Sequence, residues 1–183
     1  MAKVLLFFAN DTEECEALIT ADLLYRANID VTIAAVGGSL QVVSSHKVKI
    51  IADVLAENVN PADYDMLVLP GGWPGTQNLE QCPAVIGAVT YFAEAGKPIA
   101  AICAAPSILG HLGLLAGKRA TSFVSFRQEL TGAEVLDTEV VTDGNITTSF
   151  GLGGAIPFGL ELVRILKGQD AADKVREAVQ YRH

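Results

Sequence analysis

Cysteine is scarce in this chain of 183 residues, and the three present, Cys15, Cys82 and Cys103, are an odd set with no C-x-x-C pair. A disulfide framework and a thiol-built zinc site are therefore excluded, and a reducing cytoplasm is the expected location. Histidine is equally sparse: His46, His111 and His183 show no metal-ligand spacing, so no metal is expected. Basic residues are outnumbered, leaving a formal charge of −8 and a pI of about 4.8. Nucleic acids and anionic membranes both select basic patches, so neither is an expected partner. The opening MAKVLLFFANDTEE has one Lys and a short apolar run that ends in acids, unlike a secretory signal. Repeats, linkers and low-complexity segments are missing too, so residues 1–183 read as one domain.

Charge is missing over one longer stretch. The 20 residues between Lys97 and Lys118 are uncharged, long enough to span a bilayer. Pro98, Pro106 and three glycines break that stretch into strand and helix instead. Nucleotide signatures are absent as well. The first strand runs into DTEECE, whose carboxylates repel phosphate, rather than into G-x-G-x-x-G. Gly151 to Gly154 is glycine-rich but lacks the Lys-Ser/Thr of a P-loop. No nucleotide or other cofactor is expected.

Half of the residues are hydrophobic, enough for a sizeable core. Lys3 to Ala9 is a continuous apolar run, the pattern of a strand covered on both faces. Asp11 with Glu14 predicts a capping box for a helix over about Glu13 to Ala27, with Asp22 and Arg26 on its solvent face. Further strands are expected at Val31–Val36, Gln41–Val43, Val48–Ile51, Asp65–Pro70 and Arg119–Ser122, with a hairpin at Glu139–Thr142 and Ile146–Ser149 about Asp143-Gly144-Asn145. Helices are expected at Pro83–Ala95, Ala155–Lys167 and Ala171–Tyr181. Alternating apolar strands and helices imply an α/β fold, a three-layer α/β/α sandwich on a mostly parallel, doubly wound sheet. Ligands then bind beyond the carboxyl ends of the strands. Three loops compete for that place: Asn10–Glu16, Gly71–Gly75 and Cys103–Pro106.

Lys97 to His111, KPIAAICAAPSILGH, reads as strand, sharp turn and helix with a thiol at the corner. A helix N-terminus behind such a thiol favours the thiolate and makes a nucleophile. A buried structural cysteine fits the same residues. Among Glu13, Glu14 and Glu16, one carboxylate carried beside the thiol could act as general acid or base. For any single one of them, an acid that merely stabilises a helix N-terminus is the ordinary reading, and the helical wheel does not choose between them. His111 lies about 12 Å along the axis from Cys103 if both share a helix, beyond hydrogen-bond reach. His46 would have to arrive from another segment.

Three motifs in order, Glu13-Glu14-Cys15-Glu16, Leu69-Pro70-Gly71-Gly72 and Ala101-Ile102-Cys103-Ala104-Ala105-Pro106, resemble the ThiJ/PfpI superfamily over nearly the whole chain. The similar branch is that of the Parkinson-disease-associated deglycase and the bacterial YajL-type proteins. The resemblance implies a flavodoxin-like fold, a homodimer and no cofactor. It makes Cys103 the reactive cysteine, Glu16 the protonated glutamate bonded to it, and the Gly72 and Ala104 amides an oxyanion pocket. Arg26 and His46 fall where relatives place basic residues near the pocket or the dimer interface, and Trp73 adjoins the Gly72 corner. The implied activities are a glyoxalase or protein deglycase acting on small aldehydes or glycated adducts, or a redox-sensing or chaperoning role in which the cysteine becomes a sulfinate. The implied pocket is small and polar.

Departures narrow these expectations. Peptidase and amidotransferase branches carry His directly after the nucleophile, where this chain has Ala104. The deglycase branch often has a His near the pocket, and the matching position is Phe123. Gly151-Leu152-Gly153 replaces the usual Gly-Pro-Gly.

Overall fold

The computed structural model describes residues 1–182, which leaves His183 outside the description. In chain order the elements are β1 (Lys3–Ala9), α1 (Glu14–Arg26), β2 (Asp30–Val36), β3 (Gln41–Val43), β4 (Lys49–Ile51), β5 (Val54–Leu55), β6 (Met66–Leu69), α2 (Gly75–Glu80) and α3 (Pro83–Glu94). They continue with β7 (Ile99–Ile102), α4 (Pro106–His111), β8 (Arg119–Ala120), β9 (Glu134–Val135), β10 (Val140–Asp143), β11 (Ile146–Ser149), α5 (Ala155–Lys167) and α6 (Gln169–Ala178).

The main sheet has the order β10-β11-β7-β6-β1-β2-β5. Its pairings are parallel except for the β10–β11 hairpin, which turns at Gly144. β1 explains the three layers. Its side chains alternate between faces, and both faces are covered. Val4, Leu6 and Phe8 pack with α1, α5 and α6 through Leu24, Phe158, Val163 and Val175. Leu5, Phe7 and Ala9 pack with α2, α3 and α4 through Leu79, Val89, Phe92 and Ile108. Phe7 and Phe8 are fully buried, and truncating either to Ala costs about 3–5 kcal/mol.

The winding places the site. From β1 the chain moves outward to β2 and β5 on one side, and to β6, β7 and β11 on the other. The crevice lies where the direction reverses, between the carboxyl ends of β1 and β6. Glu13 N–H donates to the Gly71 carbonyl at 2.9 Å across that crevice.

Several boundaries differ from expectation. Asp11 does not cap α1: it adopts a positive φ of 62°, and its N–H donates to the Val43 carbonyl. Glu13 caps instead, its carboxylate accepting from Glu16 N–H at 2.7 Å. α2, β5 and β9 were not anticipated, being too short to show a period. β8 stops at Ala120 and pairs with β9 rather than joining the main sheet, and α6 ends three residues before Tyr181. Asp22 and Arg26 do form the exposed pair expected, 2.6 Å apart. The uncharged stretch is split between β7 and α4, and no helix among the described residues is long and apolar enough to cross a membrane.

Candidate active site

Cys103 stands immediately beyond β7, at the corner that leads into α4. Its φ is 65°, a left-handed value that non-glycine residues adopt only where their surroundings enforce it. The enforcement is backbone pairing on both sides: Cys103 N–H donates to the Ser149 carbonyl at 2.9 Å, and its carbonyl accepts from Phe123 N–H at 2.8 Å.

Glu16 meets it from the first turn of α1. The residue is 1% exposed. Its carboxylate accepts the Cys103 thiol and the amides of Gly71 and Leu152, the Gly71 bond measuring 3.0 Å. Gly71 must be glycine, since a Cβ there would sit 2.5 Å from Cys103 Cβ and 2.6 Å from Glu16 Oε2. The amides of Gly72 and Ala104 both point at the sulfur. The structure thus gathers Cys103, Glu16, Gly72 and Ala104 into one cluster.

Burial pushes the Cys103 thiol up to about 12, and the neighbouring Glu16 adds to the rise while the Gly72 and Ala104 amides oppose it. The sequence leaves open a thiolate held by the following helix and a buried structural cysteine. α4 has only six residues, and its dipole is outweighed by desolvation and a carboxylate in contact. Burial likewise raises Glu16 to about 7, opposed by the thiol bond, reinforced by the charge of Glu13, and opposed again by the Gly71 and Leu152 amides. Burial therefore opposes ionisation of both members of the pair, and the carboxylate in contact with the sulfur adds to the cost of a thiolate.

The remaining expected residues divide. Phe123 stands over the pair: a Cβ placed on Gly151 would lie 3.5 Å from its ring, 3.8 Å from Cys103 Sγ and 3.9 Å from Glu16 Oε1. Trp73 is exposed and packs its ring 5.2 Å from Phe126. Apolar side chains thus stand near a cluster whose own groups are polar. Arg26 is not in its own chain's site. It lies ten residues beyond Glu16, about 15 Å along α1, and lines a groove with Asn28, Lys167 and Lys174. His46 does not reach the thiol either. Its Nδ1 lies 2.9 Å from Glu14 Oε1, so a Cys–His pair is not formed. His111 is engaged elsewhere, 2.6 Å from Glu80 and 2.9 Å from Glu129.

Sequence reasoning missed two things. Gly151 and Leu152 complete the wall around Glu16, where the sequence marked the loop as a turn and a departure from Gly-Pro-Gly without placing it beside the carboxylate. Glu13, Glu14 and His46 come together with one ligand-capable atom each, all within 4.8 Å of one another. These are the residues among those described that could hold a metal ion. The shorter contact among them is a hydrogen-bonded Glu14–His46 pair, whose partners are 32 residues apart, with Glu13 Oε1 4.0 Å from the same nitrogen.

A family model described as the DJ-1/PfpI family matches residues 2–165. Protein DJ-1 homolog B of Arabidopsis thaliana is 37% identical over 177 residues, which is 96% of this chain and 40% of that protein. The chain spans less than half the length of that relative and of its paralogue, homolog A. Glutathione-independent glyoxalase DJR-1.2 of Caenorhabditis elegans is 33% identical, covering 90% of this chain and 88% of its own. Deglycase PfpI of Pyrococcus furiosus is 34% identical, covering 90% and 99%. Among solved structures, oxidized Toxoplasma gondii DJ-1 superposes with a TM-score of 0.96 over the full length of both chains, at 33% identity.

Proposed function

The chain belongs to the DJ-1/PfpI family, and on that premise we propose that it is a cofactor-independent glyoxalase or deglycase acting on methylglyoxal-type 2-oxoaldehydes or their early glycation adducts. The observation that carries this reading is the Cys103 thiol bonded to Glu16 and flanked by the Gly72 and Ala104 amides. Relatives named as a glyoxalase and a deglycase support it.

The residues account for each step. Sγ bonds to the aldehyde carbon as its proton passes to the Glu16 carboxylate. The carbonyl oxygen becomes an alkoxide facing the Gly72 and Ala104 amides. It then takes the proton from Glu16, leaving a neutral hemithioacetal. Glu16, again a carboxylate, removes the hydrogen on that carbon as a proton; the electron pair forms a carbon–carbon double bond and displaces the carbonyl pair onto the neighbouring oxygen, which takes the hydroxyl proton of the first carbon. The proton held by Glu16 then passes to the neighbouring carbon as the oxyanion on the first carbon reforms its carbonyl, giving a thioester. Water cleaves the carbon–sulfur bond, the sulfur regains its proton, and lactate leaves. No electrons enter or leave. An adduct on an amine follows the same course, with the amine as leaving group. A carboxyl group of pKa about 7 suits both directions of transfer at neutral pH.

The test is lactate formation from methylglyoxal by the wild type beside Cys103→Ala and Glu16→Gln. Loss of turnover in both variants supports the Cys–Glu mechanism. A wild type no faster than either variant rejects it.

A second reading has its own observation. The two amides at the sulfur and a protonatable Glu16 would also hold a sulfinate, formed by two equivalents of peroxide, and a relative has been described in oxidized form. Peroxide-dependent mass gain without aldehyde turnover would favour this sensor role. We extend the proposal to a cytoplasmic homodimer, since α1 and α5 leave an apolar groove with Leu18, Ile19, Ile156 and Val179 for a second copy. Molecular mass in solution tests that assembly.

A further inference from the structure

Large apolar side chains are exposed around the mouth of the site. Trp73 is 57% exposed, Phe123 44% and Leu152 48%. Each adjoins a group of the reactive cluster. Trp73 follows Gly72, whose amide faces the sulfur. Phe123 donates its N–H to the Cys103 carbonyl, and its ring lies beside the point over Gly151 that also approaches Sγ. Leu152 donates its N–H to Glu16. Phe126 closes the arc, bonded through its N–H to the Phe123 carbonyl and packed against Trp73.

Apolar side chains from three loops thus stand around a nucleophile, with Trp73 and Phe126 in ring contact. Leaving such rings in water forgoes the free energy of covering them, so the patch calls for an occupant. The occupant must also present a carbonyl to Sγ, which singles out a small substrate whose other end is apolar. Charge argues the same way. The guanidinium on this turn, Arg127, is engaged by Asp137, while Glu13 acts electrostatically on Glu16 from the α1 side. A phosphorylated or carboxylated aldehyde would meet negative charge without a free cation from this turn.

We propose that Trp73, Phe123, Phe126 and Leu152 form a specificity subsite for 2-oxoaldehydes whose 2-carbon bears an aryl or bulky apolar group. This rests on the glyoxalase and deglycase reading and names its substrate class. Gly151 keeps the approach open, because a side chain at its φ of 150° would be strained and would project beside Sγ. The reaction is that written for methylglyoxal with phenyl in place of methyl, so phenylglyoxal and water yield mandelate.

The experiment compares kcat/KM for phenylglyoxal and methylglyoxal in the wild type, Phe123→Ala and Trp73→Ala. The wild type prefers phenylglyoxal, and each variant lowers that preference about tenfold, the range of an apolar pocket, through KM for the aryl substrate rather than kcat. Binding is read separately from turnover. Trp73 is the single tryptophan of the chain, so its fluorescence reports the rim directly. The Cys103→Ala protein is titrated with 2-hydroxyacetophenone and with hydroxyacetone, unreactive analogues of the two substrates. Tighter binding of the aryl analogue, weakened about tenfold by adding Phe123→Ala, supports the subsite even if neither aldehyde turns over, in which case the glyoxalase reading alone falls. Equal binding of the two analogues, together with a substrate preference unmoved by Phe123→Ala, overturns the subsite while lactate formation leaves the glyoxalase reading standing.

Discussion

Glu14 and Glu16 sit two residues apart on the first turn of α1, both buried, at 8% and 1% exposure, yet their carboxyl groups are driven in opposite directions. For Glu14 burial is opposed and outweighed by hydrogen bonds from its own amide, Ser44, the His46 amide and Ser45, which bring it down to about 2. For Glu16 burial prevails, and it rises to about 7. The difference lies in how fully each group is desolvated and in the donors it meets. Glu14 faces the β3–β4 hairpin, whose loop supplies hydroxyls and amides to the charged form. Glu16 faces a thiol and two amides, with Glu13 repelling from behind. Burial alone does not fix the charge of a carboxylate: Glu16 is the more desolvated of the two and its donors do not offset that cost, whereas the donors around Glu14 do.

The largest effect expected is catalytic. Cys103→Ala abolishes lactate formation, and Glu16→Gln lowers it by a factor of about 10²–10⁴, read as lactate released from methylglyoxal. A Glu14→Gln variant that lost as much would break the comparison, because Glu14 has no contact with the sulfur.

Stability against pH sharpens it next. Glu16 binds its proton more tightly in the folded chain than at its ordinary value of 4.5. The neutral form is the favoured one, so its contribution to stability is present below pH 4.5 and is lost as pH rises through about 7. Gln cannot ionise. Glu16→Gln therefore gains on the wild type between pH 5 and pH 8, by up to about 3 kcal/mol, measured as a growing difference in denaturation midpoint. Glu14 has the opposite sign. Its ionised form is favoured when folded, so its contribution is present above 4.5 and lost as pH falls through about 2. Glu14→Gln costs about 1–3 kcal/mol at pH 7, a deficit that shrinks on acidification. Equal slopes for the two variants would contradict the contrast.

His46→Ala is the smallest perturbation. Its ring is largely exposed beside the buried Glu14, and a pair with one member open to solvent is worth about 0–1 kcal/mol. The denaturation midpoint at pH 7 should move by no more than that.

Much of the fold was legible because β1, β2, β6 and β7 are apolar runs with no competing helical period. α2 was not, since it is six residues long with Leu79 as its large buried side chain. The two-residue strands β5 and β9 carry no pattern at all. In the site, the strand–corner–helix form announced Cys103. The choice of Glu16 over Glu13 and Glu14 came from resemblance, because the side of α1 that meets β7 is set by sheet order rather than by helical spacing. The Glu14–His46 pair depends on how the β3–β4 hairpin returns to α1, a non-local fact. The direction of the thiol shift was not legible, because a strand-to-helix corner suggests an anion-stabilising dipole and hides the burial and the carboxylate opposing it.

The central claim is that Cys103 rests as a neutral thiol bonded to an ionisable Glu16. Thiolate absorbance near 240 nm, followed against pH in the wild type minus the Cys103→Ala variant, tests it directly. The account predicts no thiolate signal from Cys103 at neutral pH and its onset only in strongly alkaline solution. A full thiolate signal already present at pH 6 would contradict it.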